Sequence, residues 1–312
     1  MSGTLRAFGV EVTPERPGPG PMPDALLRAL ELTIARRVDG LLAGDHRSAM
    51  LGRGSELAQI RPYVPGDDVR LIDWNVTARM REPHVRAHLA ERVLVTWLVL
   101  DRSLSMAFGT ADRRKDDVAF GVTLAVGHAA TVRGNRLGML TFAGGPPAPI
   151  PPRQGRAGLV GLLATLRDTD RGQAVAGTGV APTLDGALAT LASVARQRAL
   201  VAIVSDFRGP VDWRGPLLDL AGRHDVLAIE IRDPREQEIP DVGEVWFEDP
   251  ESRQRLRVDT SDPRLRARFA EAAHAEREGV ARVFRSTGAG HVVLSTDGDW
   301  LRTFAAYLRS RS

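Results

Sequence analysis

"VLVTWLVLDRSLSM", residues 93 to 106, is apolar for eight positions apart from Thr96 and then ends in Asp101, Ser103 and Ser105. Eight residues make a strand and fall far short of the ~20 needed to cross a bilayer. An unbroken apolar run bounded by polar residues marks a strand buried on both faces, as in parallel sheets. Its polar end puts three oxygen-bearing side chains within five residues. They read either as a helix cap or Asx-turn, or as part of a cation site whose other ligands lie elsewhere in the chain.

Outward from that strand, helices and strands alternate. "KDDVAFGVTLAVGHAATV" reads as a helix ending at Gly134-Asn135, "RLGMLTFA" as a strand, and "GGPPAPIPPRQ" as a proline-rich turn. Helices follow at "AGLVGLLATLRD" and "TLDGALATLASVA", then the buried strand "ALVAIVSDF", the helix "PLLDLAGRH" and the strand "DVLAIEIRD". A hairpin at about 243–260 precedes a long helix from about Pro263 to Phe284, and "HVVLSTD" and "WLRTFAAYLRS" supply a last strand and helix. Short apolar strands alternating with helices predict an α/β fold, with a doubly wound, mostly parallel sheet over residues 93–312.

Two smaller regions precede it. Residues 1–40 hold the Pro/Gly-rich linker "PERPGPGPMP" and a helical pattern from Asp24, with Leu26, Leu27 and Leu30 at helical spacing. Residues 41–92 form a β-rich region around "RPYVPGDDVRLIDW", in which Val64-Pro65-Gly66-Asp67 predicts a type II turn. His84 and His88 are four apart, as helical zinc ligands would be, but Pro83 and the alternation around them favour a strand.

Composition excludes several function classes. The 312 residues are 43% hydrophobic and 26% charged, enough for a real core, and contain no cysteine for thiolate chemistry or zinc ribbons. The pI of about 10.0 looks like a nucleic-acid signal, yet the net charge is only +3. Of 42 basic residues all are arginine except Lys115, and they are scattered among acids rather than blocked. No signal peptide or membrane span is evident, so a cytoplasmic protein that binds no nucleic acid is expected.

Candidate chemistry gathers where open α/β sheets bind ligands, beyond the carboxyl ends of their strands. Asp101 ends one apolar strand and Asp206 follows another, while Thr183 precedes a helix well placed to reach the same rim. Two carboxylates and three hydroxyls, with no imidazole or thiolate, suit a hard divalent ion, Mg2+ or Mn2+. No Gly-rich turn follows the first strand, which argues against a dinucleotide site. Ser103 also stands where a dehalogenase-type phosphotransferase needs a second aspartate.

The D-x-S-x-S of Asp101, Ser103 and Ser105, a later threonine and an aspartate after an apolar strand resemble the metal-ion-dependent adhesion site of von Willebrand factor A domains. That resemblance spans about residues 93 to 310. It implies that Ser103, Ser105 and Thr183 touch the metal directly, that Asp101 and Asp206 act mainly through water, and that a partner's carboxylate completes the shell. Thr178 in "GTGVAPT" is the competing threonine; Thr183 has the better distance to the helix.

"RPYVPGDDVRLIDWNVTAR", residues 61 to 79, followed by "LVLDRSLSM" and "VSDF", resembles the bacterial family catalogued as domain of unknown function 58. Members are often encoded beside MoxR-type AAA+ ATPases, so the resemblance implies such an ATPase as partner. Arg61, Asp67, Asp68, Arg70, Asp73 and Arg79 read as an ion-paired network holding the β-rich region against the following domain, with Trp74 as a packing anchor; a binding patch is the alternative. Nothing there pairs a nucleophile with a base. The expected function is a non-enzymatic, metal-dependent interaction module. The alternatives are a scaffold that binds through the β-rich region with an empty metal loop, and a metal-dependent hydrolase.

Overall fold

The computed structural model describes residues 6–8, 14–31, 56–89, 95–131, 135–142, 147–155, 158–164, 183–248 and 255–310. The chain divides into two compact units, residues 42–94 and the remainder, with residues 1–41 belonging to the larger one. Within the larger unit, strand β1 (Arg6–Phe8) and helix α1 (24–31) come first. The Pro/Gly-rich segment between them is not a free linker. Arg16 N–H donates to the Asp112 carbonyl at 2.7 Å, and the Trp300 indole donates to the Pro19 carbonyl at 2.9 Å. Prolines without N–H groups suit such a strap, because their carbonyls still accept bonds from the body beneath. Gly121 lies under it, and a Cβ there would meet the Trp300 ring at 2.4 Å.

The smaller unit is an antiparallel pair, β2 (Glu56–Pro62) and β3 (His84–Leu89), joined through helix α2 (Trp74–Met80). The expected turn is present: Asp67 N–H bonds to the Val64 carbonyl at 3.0 Å, and Gly66 takes φ +110°, a value open to glycine. His84 and His88 stand on a strand, and the buried His84 ring bonds to the Glu82 carbonyl at 2.8 Å. Trp74 opens α2 after the Asp73 cap and is 71% exposed, so it anchors no core within this unit.

The larger unit is built on β4 (Val95–Asp101), α3 (Lys115–Thr131), β5 (Arg136–Phe142), β6 (Ala148–Gln154), α4 (158–164), α5 (Leu184–Val194) and β7 (Ala199–Ser205). It continues through α6 (Arg214–Ala221), β8 (Asp225–Arg232), β9 (Glu244–Glu248), β10 (Arg255–Asp259), α7 (Pro263–Thr287), β11 (Gly290–Ser295) and α8 (Trp300–Ser310). Six strands form one sheet in the order β11-β8-β7-β4-β5-β6, all parallel except β6. The fold is therefore mixed α/β with a mostly parallel central sheet.

The expected proline-rich turn is in fact strand β6, antiparallel to β5. Pro149, Pro151 and Pro152 cannot donate to a ladder, and an edge strand with one free side tolerates them. A separate small sheet, β1-β9-β10, adds a strand to the expected hairpin.

The sheet is buried on both faces, as its apolar strands require: all seven residues of β7 are inaccessible. On one face Trp97, Val99, Val201 and Ile203 pack with Leu188 and Leu191 of α5, Leu217 of α6 and Phe284 of α7. Leu98, Leu100 and Val204 alternate to the other face, where buried residues of α3 and α8 supply the cover.

Candidate functional site

From β4 the chain moves to β5 and β6 on one side, then returns to β7, β8 and β11 on the other. The boundary between β4 and β7 is thus the topological switch point, and the loops beyond their carboxyl ends diverge to open a crevice. Asp101 is the last residue of β4, and Asp206 directly follows β7. Both are 6% exposed.

Local structure accounts for the serines. Asp101 Oδ1 accepts the Ser103 N–H at 2.9 Å, an Asx-type turn that directs the chain out of the strand. A short 3-10 turn at Leu104–Ala107 follows, with Ser103 as its N-cap residue but without a side-chain cap bond. The Ser103 hydroxyl instead lies 2.8 Å from that of Ser105, which sits beside Asp206 and helps hold its carboxyl down. The helix-cap reading therefore fails for Ser103, and the backbone turn holds through Asp101.

Asp101, Ser103, Ser105 and Asp206 are thereby brought into one bonded cluster. Thr183 stands outside that bonding: it is the exposed N-cap of α5, and its hydroxyl makes no cap bond. Thr178 lies outside the described residues.

The structure adds partners that the sequence reading did not single out. Ser205 donates to Asp101 Oδ2 at 2.5 Å and accepts the Phe207 N–H at 2.9 Å, tying the two strand ends together. Lys115, the first residue of α3, is wholly buried; its Nζ donates to Asp206 Oδ2 at 2.6 Å and to Glu236 Oε1 at 2.7 Å. Glu236 follows β8 in a capping box with Asp233 and also faces Arg208 at 3.1 Å. Asp233, fully buried, accepts from Thr110 N–H at 2.7 Å and Thr296 Oγ1 at 2.7 Å, and so fastens the loop after β4 to the ends of β8 and β11. Lys115 had a legible signal, being the lone lysine among arginines and opening an apolar helix. Glu236 had one in the D-P-x-E spacing of a capping box.

The two aspartates differ electrostatically. Asp101 is pushed up to about 6, first by burial and then by the neighbouring Asp206 charge, against hydrogen bonds from Ser205 and Ser103. For Asp206 burial works upward too, but the Lys115 ammonium outweighs it and holds the carboxyl below its usual range. Burial likewise works to lower Lys115, and Asp206 and Glu236 together raise it instead, so the ammonium stays charged.

The donor set is of the type that small hard cations take. Every donor is oxygen, and Asp101 keeps a buried charge that Lys115 does not neutralise, the condition a divalent ion relieves. On the far side of Asp206, a cleft of about 20 Å³ runs between Phe207, Arg208, Glu236 and the α7 residues Ala273 and Val280. That is room for a water rather than an organic substrate.

The family described as protein of unknown function DUF58 matches over residues 59–279, spanning both the turn-rich string and the switch-point cluster. The chain belongs to that family. The uncharacterized protein Rv1480 of Mycobacterium tuberculosis is 45% identical over 287 residues, which cover 92% of this chain and 89% of its own. The uncharacterized protein MAV169 of Mycobacterium avium is 43% identical over 162 residues, 52% of this chain and 93% of that one. Among solved structures, the conserved hypothetical protein BatB from Bacteroides thetaiotaomicron aligns over 70% of this DUF58 chain and 100% of its own, with a TM-score of 0.45 and 12% identity. Among the described residues no helix is long and apolar enough to cross a membrane.

Proposed function

We propose that this DUF58 protein is a non-enzymatic, metal-dependent protein-interaction module with a von Willebrand factor A-type fold. Ser103, Ser105 and Thr183 would hold Mg2+ or Mn2+ directly, with Asp101 and Asp206 acting through water. The observation that carries this reading is the pair of serine hydroxyls, 2.8 Å apart, set between the two strand-end carboxylates at the switch point, Ser103 beside Asp101 and Ser105 beside Asp206. That the Thr183 hydroxyl makes no cap bond to α5 supports giving it a place in such a shell. When bound, the ion supplies a positive centre that an acidic side chain of a partner can complete, an attraction strengthened in a partly dry interface.

A role in holding and orienting a partner, rather than turnover, is supported by the chemistry of Ser105 and Lys115. A serine nucleophile needs an adjacent base, and the carboxylate beside Ser105 is Asp206, whose lowered pKa makes it a weak one. The Lys115 amine is charged and committed to two carboxylates, so it is no nucleophile either. The proposed partner is a MoxR-type AAA+ ATPase, with this chain as an adaptor in assembly or maturation of a complex; that clause rests on family resemblance.

The test is recovery of a MoxR-type AAA+ ATPase of the same organism on immobilised protein, in Mg2+ and in EDTA, with wild type and Ser103→Ala/Ser105→Ala. Recovery is expected for wild type in Mg2+ alone. Equal recovery under all four conditions would sink metal-gated adhesion.

A second reading, contact through the smaller unit, is favoured by one observation. Trp74 at 71%, Val69 and Met80 at 61% and Val64 at 55% are all exposed there.

A further inference from the structure

The chain uses arginine at every basic position but one, and the exception lies in the candidate site. Lys115 is inaccessible, fixed at the start of α3 by its own N–H on the Phe108 carbonyl at 2.9 Å, and bonded through Nζ to Asp206 and Glu236. A compact ammonium with three donors can serve two carboxylates in so confined a space, whereas a planar guanidinium is larger and forked. Asp206 is thereby neutralised on one oxygen, while its other oxygen accepts the Arg208 N–H at 3.3 Å. Asp101 instead accepts from the Ser103 N–H and the Ser205 hydroxyl, with the Arg102 charge acting on it.

We propose that Lys115 is a built-in counter-cation that sets the strength of the metal site. By neutralising Asp206, it holds the divalent affinity of the free protein low. This rests on the metal-binding reading above. Its consequence for adhesion is that a partner's carboxylate restores the negative charge that Lys115 cancels, so the ion is gripped firmly only in the complex. A unit charge within several ångströms of a bound ion, in a site drier than bulk water, changes affinity by a factor of about ten or more.

The experiment titrates Mn2+ alone into the full chain, reading free ion by electron paramagnetic resonance, for wild type, K115Q, K115M/E236Q and S103A/S105A. The carboxamide of K115Q can still donate to Asp206 and leaves Arg208 on Glu236, so the fold is expected to survive. K115M/E236Q removes one charge of each sign and covers the case in which K115Q does not fold. Weak wild-type binding, abolished in S103A/S105A and at least about tenfold tighter in K115Q or the double variant, is the expected result. Wild-type binding that S103A/S105A abolishes but the Lys115 variants leave equal or weaken overturns the role given to Lys115 and spares the metal reading. No binding by any of the four, or binding indifferent to S103A/S105A, overturns both.

Discussion

Two regions of this chain are dense in aspartate, and they use it in opposite ways. In the smaller unit the carboxylates organise backbone near the surface. Asp67 takes both guanidinium nitrogens of Arg61, at 2.8 and 2.6 Å, together with the Val64 N–H; Asp68 accepts the Arg70 N–H, and Asp73 caps α2 through Asn75 and Val76. At the switch point Asp101 and Asp206 lie under the surface, bonded to serines and to a buried lysine. The first set accounts for its own presence, since Asp67 closes a turn and Asp68 and Asp73 cap helical segments. The second set also ties two strand ends together, yet burial and the Asp206 charge leave the Asp101 carboxyl raised to about 6. Acid content alone does not mark a site; unrelieved buried charge does.

The sharpest way to break this contrast is to remove Asp206. Asp206→Ala strips one partner from an ammonium that water cannot reach, and loss of one member of a buried pair costs about 3–5 kcal/mol. Trp97, Trp213 and Trp300 are each 3% exposed in the larger unit, so urea unfolding followed by tryptophan emission reports on it. A midpoint within error of wild type would show that Lys115 is satisfied by Glu236 alone and that the rim is no more strained than the surface.

A smaller effect is expected from Asp73→Ala. An N-cap deletion costs about 1 kcal/mol, and here it frees the N–H groups of Asn75 and Val76. Amide exchange along α2 should quicken by about fivefold while the switch-point strands keep their protection. Faster exchange in β4 or β7 as well would mean that the string's acids support the larger unit, against the local role assigned to them.

Much of this contrast was legible in residue order. Short apolar runs of four to eight positions bounded by polar residues mark β4, β7 and β8 as buried strands, and alternation with helices gives the mostly parallel sheet. Asp101 and Asp206 follow, because a carboxylate ending a buried strand is at the rim. What escaped depends on pairing between distant segments. β6 hides because three prolines argue against a strand unless its edge position is known. Lys115, Glu236 and Ser205 carry no local signal of partnership: Lys115 meets Asp206 and Glu236 across 91 and 121 residues of chain. Trp74 is the converse case: an aromatic in a motif suggests a core, and within its own unit it opens α2 exposed.

Trp74→Ala should change stability least and discriminate binding most. At 71% exposure the indole buries little, so removing it should move the unfolding midpoint by no more than about 0.5 kcal/mol. If the switch-point cluster carries adhesion, the variant recovers its partner in Mg2+ as wild type does and loses it in EDTA. If the apolar face of Trp74, Val69 and Met80 is the contact, recovery falls equally with and without the ion, and Ser103→Ala/Ser105→Ala has no effect. An exposed indole is a common binding hot spot, worth 2 kcal/mol or more when it fills a pocket, so a genuine contact would cost roughly thirtyfold in affinity. The two readings therefore separate on one surface residue that the fold itself does not need.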